Sequence, residues 1–153
     1  MKIQILAIGK MKKNCPEKQI IDDYIKKTLW PVEIHEAEEH RPLSPEQIKE
    51  AEGKLLEKMI PKGAKVIVLD EKGKQLNSHE FAEQIQSWKN QSVGDVAFLI
   101  GGAFGHSPQI KQRADLLLSF GRMTLPHMLM RTVLTEQIYR AFTLSEGHPY
   151  HKD

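Results

Sequence analysis

The chain has 153 residues, 40% of them hydrophobic and 27% charged, with a formal net charge of +2. This is the composition of a soluble globular domain large enough to build a core without disulfides or structural metal. No apolar run reaches the roughly 18–20 residues that span a bilayer, and the single cysteine, Cys15, excludes an internal disulfide and suits a reducing cytoplasm. A pI near 8.6 permits a nucleic-acid partner but is weaker than the basic signature of a dedicated binder.

Lys2 to Gly9 is β-branched and apolar, ends in glycine, and predicts a first buried strand. It is too short for a secretory apolar segment and lacks a small-residue cleavage site. After the basic loop "GKMKKN", Pro16 opens a helix to about Leu29 with Ile20, Ile21, Tyr24 and Ile25 on one face. Val32–Ala37 predicts a second, more polar strand near a sheet edge. Ser44 is a good N-cap, Pro45 takes the first helical position and Gln47 completes a capping-box pattern for a helix to about Ile60. "KVIVLD" (Lys65–Asp70) is apolar enough to be covered on both faces of a parallel sheet. The "EKGK" that follows reads as a turn, after which Ser78 is expected to cap a helix carrying Phe81, Ile85 and Trp88 on one face. Asp95–Ile100 is the next buried strand. Then come "GGAFGHSP", a short helix near Gln109–Ala114, the strand-like "LLLSF", and a last helix from about Pro126 to Leu144.

No repeat, low-complexity tract or interdomain linker interrupts this order, so a single domain over residues 1–153 is expected. Strands alternating with helices imply an α/β fold, a mainly parallel sheet with helices on both faces. Ligands in such sheets sit beyond the carboxyl ends of the strands. The loops after Gly9, Asp70 and Ile100, and the one containing Gly121, are therefore the candidate binding loops.

"LIGGAFG" places Gly101, Gly102 and Gly105 directly after a buried strand, where glycine permits a sharp turn and close approach to a ligand. The spacing GGxxG is neither a dinucleotide fingerprint nor a Walker loop, and a plain strand-to-helix turn explains it equally well. Seven histidines invite a metal, but no HExxH, CxxC or paired-histidine spacing is present. No GxSxG elbow is present, and Cys15 lies beside lysines without a nucleophile signature. The last helix carries Leu129, Met130, Val133, Leu134, Ile138, Ala141 and Phe142 on a wide apolar stripe, read as core packing that Met128 and Tyr139 broaden toward a dimer contact. Arg131, Glu136 and Arg140 interrupt it and read as paired charges on a solvated face. The tail "EGHPYHKD" is either a frayed terminus or a functional segment. Its histidines suit proton transfer near neutral pH, and Tyr150 suits stacking and hydrogen bonding to a base.

"LIGGAFGHS", "LSFGRMTLPHMLMR", "LTEQIYRAF" and "GHPYHKD", in that order, resemble the RlmH-type family of SPOUT-class methyltransferases of bacterial 23S ribosomal RNA. "MKIQILAIGK" and "VIVLDEKGKQLNSHEFA" match as well, so the resemblance covers essentially the whole chain. It implies a carboxyl-terminal trefoil knot, which general topology rules alone exclude, and S-adenosylmethionine as cofactor. On this resemblance Phe120, Gly121, Arg122, Met123, Thr124 and Leu125 form the knot loop that holds the adenine. Gly101 and Gly102 let the chain pass close to the cofactor, and Leu69 packs against it. The implied reaction is methyl transfer to N3 of a pseudouridine in 23S RNA of the assembled ribosome, in the cytoplasm, by a homodimer without a metal. Tyr150 and His151 are the candidates for handling the N3 proton, Arg140 for fixing phosphate or the developing anion, and His127 for shaping the pocket. Lys10, Lys12 and Lys13 are candidate phosphate contacts. Some relatives carry an acidic residue where this chain has Ala103 and Phe104, so no catalytic acid is assigned to that loop. Two rivals remain at this point: a non-catalytic ribosome-associated protein retaining the cofactor pocket, and an unrelated α/β nucleotide-binding module.

Overall fold

The apolar runs become parallel strands because side chains alternate between two faces, each of which finds a helical cover. In the computed structural model, which describes residues 1–152, the strands are β1 (Lys2–Ile8), β2 (Val32–Ala37), β3 (Lys65–Gln75), β4 (Asp95–Ile100) and β5 (Leu116–Ser119). They lie in the order β2-β1-β4-β3-β5 with every neighbouring pair parallel. The helices are α1 (Pro16–Lys27), α2 (Pro45–Met59), α3 (Ser78–Asn90), α4 (Pro108–Arg113) and α5 (His127–Ser145). Ile3, Ile5, Ile67, Val96, Phe98 and Leu118 face one core, closed by Phe81, Ile85 and Trp88 of α3 and Leu134, Ile138 and Phe142 of α5. Their sequence neighbours Leu6, Val66, Val68, Ala97 and Leu99 face the other, closed by Leu56 of α2 and Ile110 of α4. The polar β2 is an edge strand, as its composition predicts. No helix among the described residues is long and apolar enough to cross a membrane.

The capping box of α2 forms as expected: the Gln47 N–H donates to Ser44 Oγ at 3.3 Å and the Ser44 N–H to Gln47 Oε1 at 3.1 Å. Three sequence expectations change. The "EKGK" segment does not end β3; the strand continues to Gln75 through an irregularity, with Leu69 and Lys74 both opposite Leu118. Gly73 makes this possible, because a Cβ there would lie 2.6 Å from the Leu117 carbonyl oxygen. The cap of α3 is Asn77 rather than Ser78: Asn77 Oδ1 accepts from the Glu80 N–H at 2.8 Å, and Glu80 returns the bond to the Asn77 N–H. Ser78 is the first helical residue, and its hydroxyl donates to Gln137 of α5 at 2.8 Å.

The third change concerns Arg131, which is not on a solvated face. It is 0% exposed and donates to the Glu36 carboxylate, to the Gly9 carbonyl at 2.8 Å and to the Ile8 carbonyl at 3.4 Å. Glu36 also accepts from the Met11 N–H at 2.8 Å. Strand-end carbonyls of a parallel sheet need donors, and a buried guanidinium needs a carboxylate, so the two terminal nitrogens of Arg131 serve both needs, while its Nε has no partner among the described residues. This pins α5 across the carboxyl ends of β1 and β2.

Candidate active site

The β3–β4 ladder ends at Val68↔Leu99, and beyond it a cavity of about 420 Å³ opens between the Leu69–Lys72 stretch of β3 and the carboxyl ends of β4 and β5. Leu69, Ile100 and Leu118 form its buried apolar floor. One wall is the Gly101–His106 loop, the other the Phe120–Leu125 segment, and His127 and Met130 of α5 close it from the side. Gly121, at φ +136°, allows the turn out of β5. Ser119 Oγ pins that turn, accepting from the Gly121 N–H at 3.0 Å and donating to its carbonyl at 2.9 Å. Thr124 ties the segment across to Glu71 at 3.2 Å. Lys49, Asp70, Lys72 and Lys111 give the rim mixed charge, with Lys111 Nζ 3.4 Å from Asp70.

Leu69, Gly101, Gly102, Phe120, Gly121, Met123, Thr124 and Leu125 therefore all line one cavity, although 56 residues separate the first from the last. Arg122 does not line it and is exposed on the same segment. The two glycines have an immediate steric reason that their spacing does not reveal. A Cβ on Gly101 would stand 3.1 Å from the His106 ring, and a Cβ on Gly102 would stand 2.6 Å from both carboxylate oxygens of Glu52. His106 and Glu52 are buried and escape the sequence reading. The available signal is modest: Glu52 sits one turn before Leu56 on the core side of α2, where a carboxylate is out of place. Burial, and then Glu39, raises the Glu52 carboxyl above the usual carboxylate range.

The tail residues gather elsewhere. Tyr150 donates to Glu136 at 2.9 Å and packs edge-on against Tyr139 with ring centroids 4.7 Å apart. The Arg140 guanidinium lies 4.8 Å from the Tyr150 ring, donates to Glu136, and meets His151 Nδ1 at 3.0 Å. Arginine only donates, so His151 Nδ1 accepts, and the His151 proton of this arrangement is on Nε2. His151 also stacks edge-on with His79 at 4.7 Å. Arg140 and Glu136 are thus a partly buried clamp on the tail rather than a solvated pair. Burial, the Tyr24 hydroxyl and Glu136 raise the Tyr150 phenol well above its ordinary range, which makes it a donor rather than a base. None of Arg140, Tyr150 and His151 lines the cavity. Arg140 is thirteen residues along α5 from His127, about 20 Å of helix. Lys10, Lys12 and Lys13 are exposed on the loop after β1, at the same carboxyl edge of the sheet as the cavity.

A family model described as "Predicted SPOUT methyltransferase" matches residues 1–151. The chain belongs to the SPOUT methyltransferase family. Among SPOUT relatives it is 48% identical to "Ribosomal RNA large subunit methyltransferase H" of Paramagnetospirillum magneticum over 99% of both chains. It is 44% identical to the protein of the same name from Paracoccus denitrificans over the full length of both. The fold agrees with a probable methylase family protein from Haemophilus influenzae Rd KW20, at TM-score 0.58 and 12% identity over 99% of this chain and 70% of that one. A putative methylase family protein from Neisseria gonorrhoeae superposes at TM-score 0.56 and 11% identity over 90% of this chain and 81% of that one. Like the SPOUT fold expected from its motifs, the chain is an α/β protein, with a sheet that is wholly rather than mainly parallel.

Proposed function

We propose that the chain transfers a methyl group from S-adenosylmethionine to N3 of a pseudouridine in 23S ribosomal RNA, acting as a cytoplasmic homodimer on the assembled ribosome. The observation that carries this reading is the full-length similarity to proteins named for large-subunit RNA methylation. The cavity supports it: its volume is within the roughly 300–1,000 Å³ of small-molecule sites, and an apolar floor with backbone walls suits an adenosine. Leu69 and Leu125 would sandwich the base, while the Phe120–Leu125 backbone, taken as the knot loop, offers it amides and carbonyls. Asp70 and Glu71 supply negative charge toward a cationic donor. S-adenosylmethionine supplies an electrophilic methyl, so the protein's task is alignment and removal of the N3 proton.

The separation of tail and cavity in one chain favours a site shared between two subunits, the cavity from one and Tyr150, His151 and Arg140 from the other. In that site Tyr150 would donate to an imide carbonyl and Arg140 would stabilise the developing anion, with the N3 proton passing to solvent water. No observation favours a non-catalytic ribosome partner. The test is to incubate the protein with labelled S-adenosylmethionine and ribosomes lacking the modification, then map the methyl group by mass spectrometry. Label at N3 of a single 23S pseudouridine is expected; binding without transfer to any ribosomal RNA overturns the proposal.

A further inference from the structure

Two of the buried polar side-chain atoms without a partner among the described residues, Glu52 Oε1 and His106 Nδ1, belong to the side chains that occupy the Cβ positions of the paired glycines. His106 belongs to the cavity wall. It is 6% exposed, lines the cavity, and its Nε2 is 3.1 Å from the Leu69 carbonyl oxygen. A carbonyl only accepts, so Nε2 carries the proton and the neutral ring keeps Nδ1 bare. The opposite contact is Gly101, whose Cβ position is 3.1–3.2 Å from Cε1, Nδ1 and Nε2. Gly105, at φ +83°, turns the chain so that the next residue enters this gap. The imidazole is therefore inserted where β3 and β4 part, touching the last floor residue of one and the first loop residue of the other.

We propose that His106 is a positioning residue: a neutral wedge that sets the separation of Leu69 from Gly101, so that S-adenosylmethionine affinity requires it unprotonated. The inference rests on the cofactor reading above. Protonation adds a charge and a second donor on Nδ1, which makes no hydrogen bond among the described residues; the Leu99 carbonyl is the acceptor that would have to shift to meet it. Burial lowers the imidazole below its ordinary range; Asp70 and the Leu69 and Leu99 carbonyls oppose the shift, and Lys111 assists it. The other charged or titratable groups around the cavity are Glu71 and Lys72 of β3, Lys49 and Glu52 of α2 and His127 of α5. The wedge is intact above the lowered pKa and lost as pH falls through it, so affinity falls with acidification.

The test is calorimetric titration of the full chain with S-adenosylmethionine from about pH 7.5 to pH 5, together with an NMR titration of the His106 ring in the free protein. Wild-type affinity is expected to fall in step with the His106 protonation that NMR records. His106→Gln keeps an N–H for the Leu69 carbonyl but takes up no proton, and its profile is expected to be flat. His40→Gln, at an exposed histidine outside the cavity, should retain the wild-type slope. A flat wild-type profile, or a slope that survives in His106→Gln, overturns the proposal. If S-adenosylmethionine binds at no pH, the cofactor reading fails separately, and NMR still decides the wedge. Leu69 and Gly101 amide shifts that track His106 protonation support it, and shifts independent of that protonation overturn it.

Discussion

At the scale of single residues, the cavity is built by side chains in unfavourable positions. Glu52 is 8% exposed, and its Oε1 has no hydrogen-bond partner among the described residues. Its carboxyl is raised by burial and by Glu39, so the folded state holds the Glu52 proton more tightly than the unfolded chain does. The sign follows: its contribution to stability is full below the unfolded carboxylate pKa and lost as pH rises through the folded value. Glu52→Gln is therefore expected to raise stability near pH 7.5, by about 1 kcal/mol, and to change little near pH 4. Thermal denaturation at the two pH values measures this, and equal effects at both would remove charge burial as the cause. Glu52 stands against Gly102 of the cavity wall, so this buried carboxyl lies directly behind the candidate site.

At the scale of elements, helix ends show how closely local chemistry can be read. The box at Ser44 and Gln47 forms where the sequence pattern puts it. The start of α3 is displaced by one residue because Asn77 and Ser78 are both good caps, and the reciprocal bond to Glu80 selects the one three residues before it. Asn77→Ala should cost about 1 kcal/mol through the lost cap in urea denaturation. Ser78→Ala should instead lose only the bond to Gln137 and loosen α3 from α5. A larger cap-like loss from Ser78→Ala would reverse the assignment. The apolar stripe of α5 was legible in the same local way for Leu134, Ile138, Ala141 and Phe142, which are buried, whereas Leu129, read as part of the core stripe, is 44% exposed. The charges interrupting the stripe were not legible, because Arg131 meets Glu36 95 residues away and Glu136 clamps the tail.

At the scale of the whole molecule, the candidate site divides into two parts that one chain keeps apart. The cavity lies at the amino end of α5, and Arg140, Tyr150 and His151 lie toward its carboxyl end. The shared-site proposal makes a quantitative prediction. Gly102→Val fills the Glu52 contact and should abolish cofactor binding, while Tyr150→Phe with His151→Ala should spare binding and lower transfer. Refolded together in equal amounts, the two impaired proteins should recover about a quarter of wild-type transfer above the residual activity of the tail variant. Half the dimers are then mixed, and each mixed dimer holds one intact composite site. Sites contained within one chain would recover none. Transfer assays on the mixture, beside each protein alone, decide between them.

The sequence by itself determined the α/β class, the strands and helices, the loops at the carboxyl edge and the family, because periodicity, caps and motif order are properties of neighbouring residues. It also brought together part of the cavity lining, since the resemblance carried Leu69, Gly101, Gly102, Phe120, Gly121, Met123, Thr124 and Leu125 together. Only the tertiary structure decided that β3 continues through "EKGK", that Arg131 is buried, that His106 and Glu52 hold the glycines, and that the tail stands apart from the cavity. Each of these turns on a contact between residues far apart in the chain. His106 reaches Leu69 across 37 positions and Arg131 reaches Glu36 across 95. Strand order sets which distant groups meet, and burial then decides whether a polar side chain is solvated, paired or left bare beside the cavity.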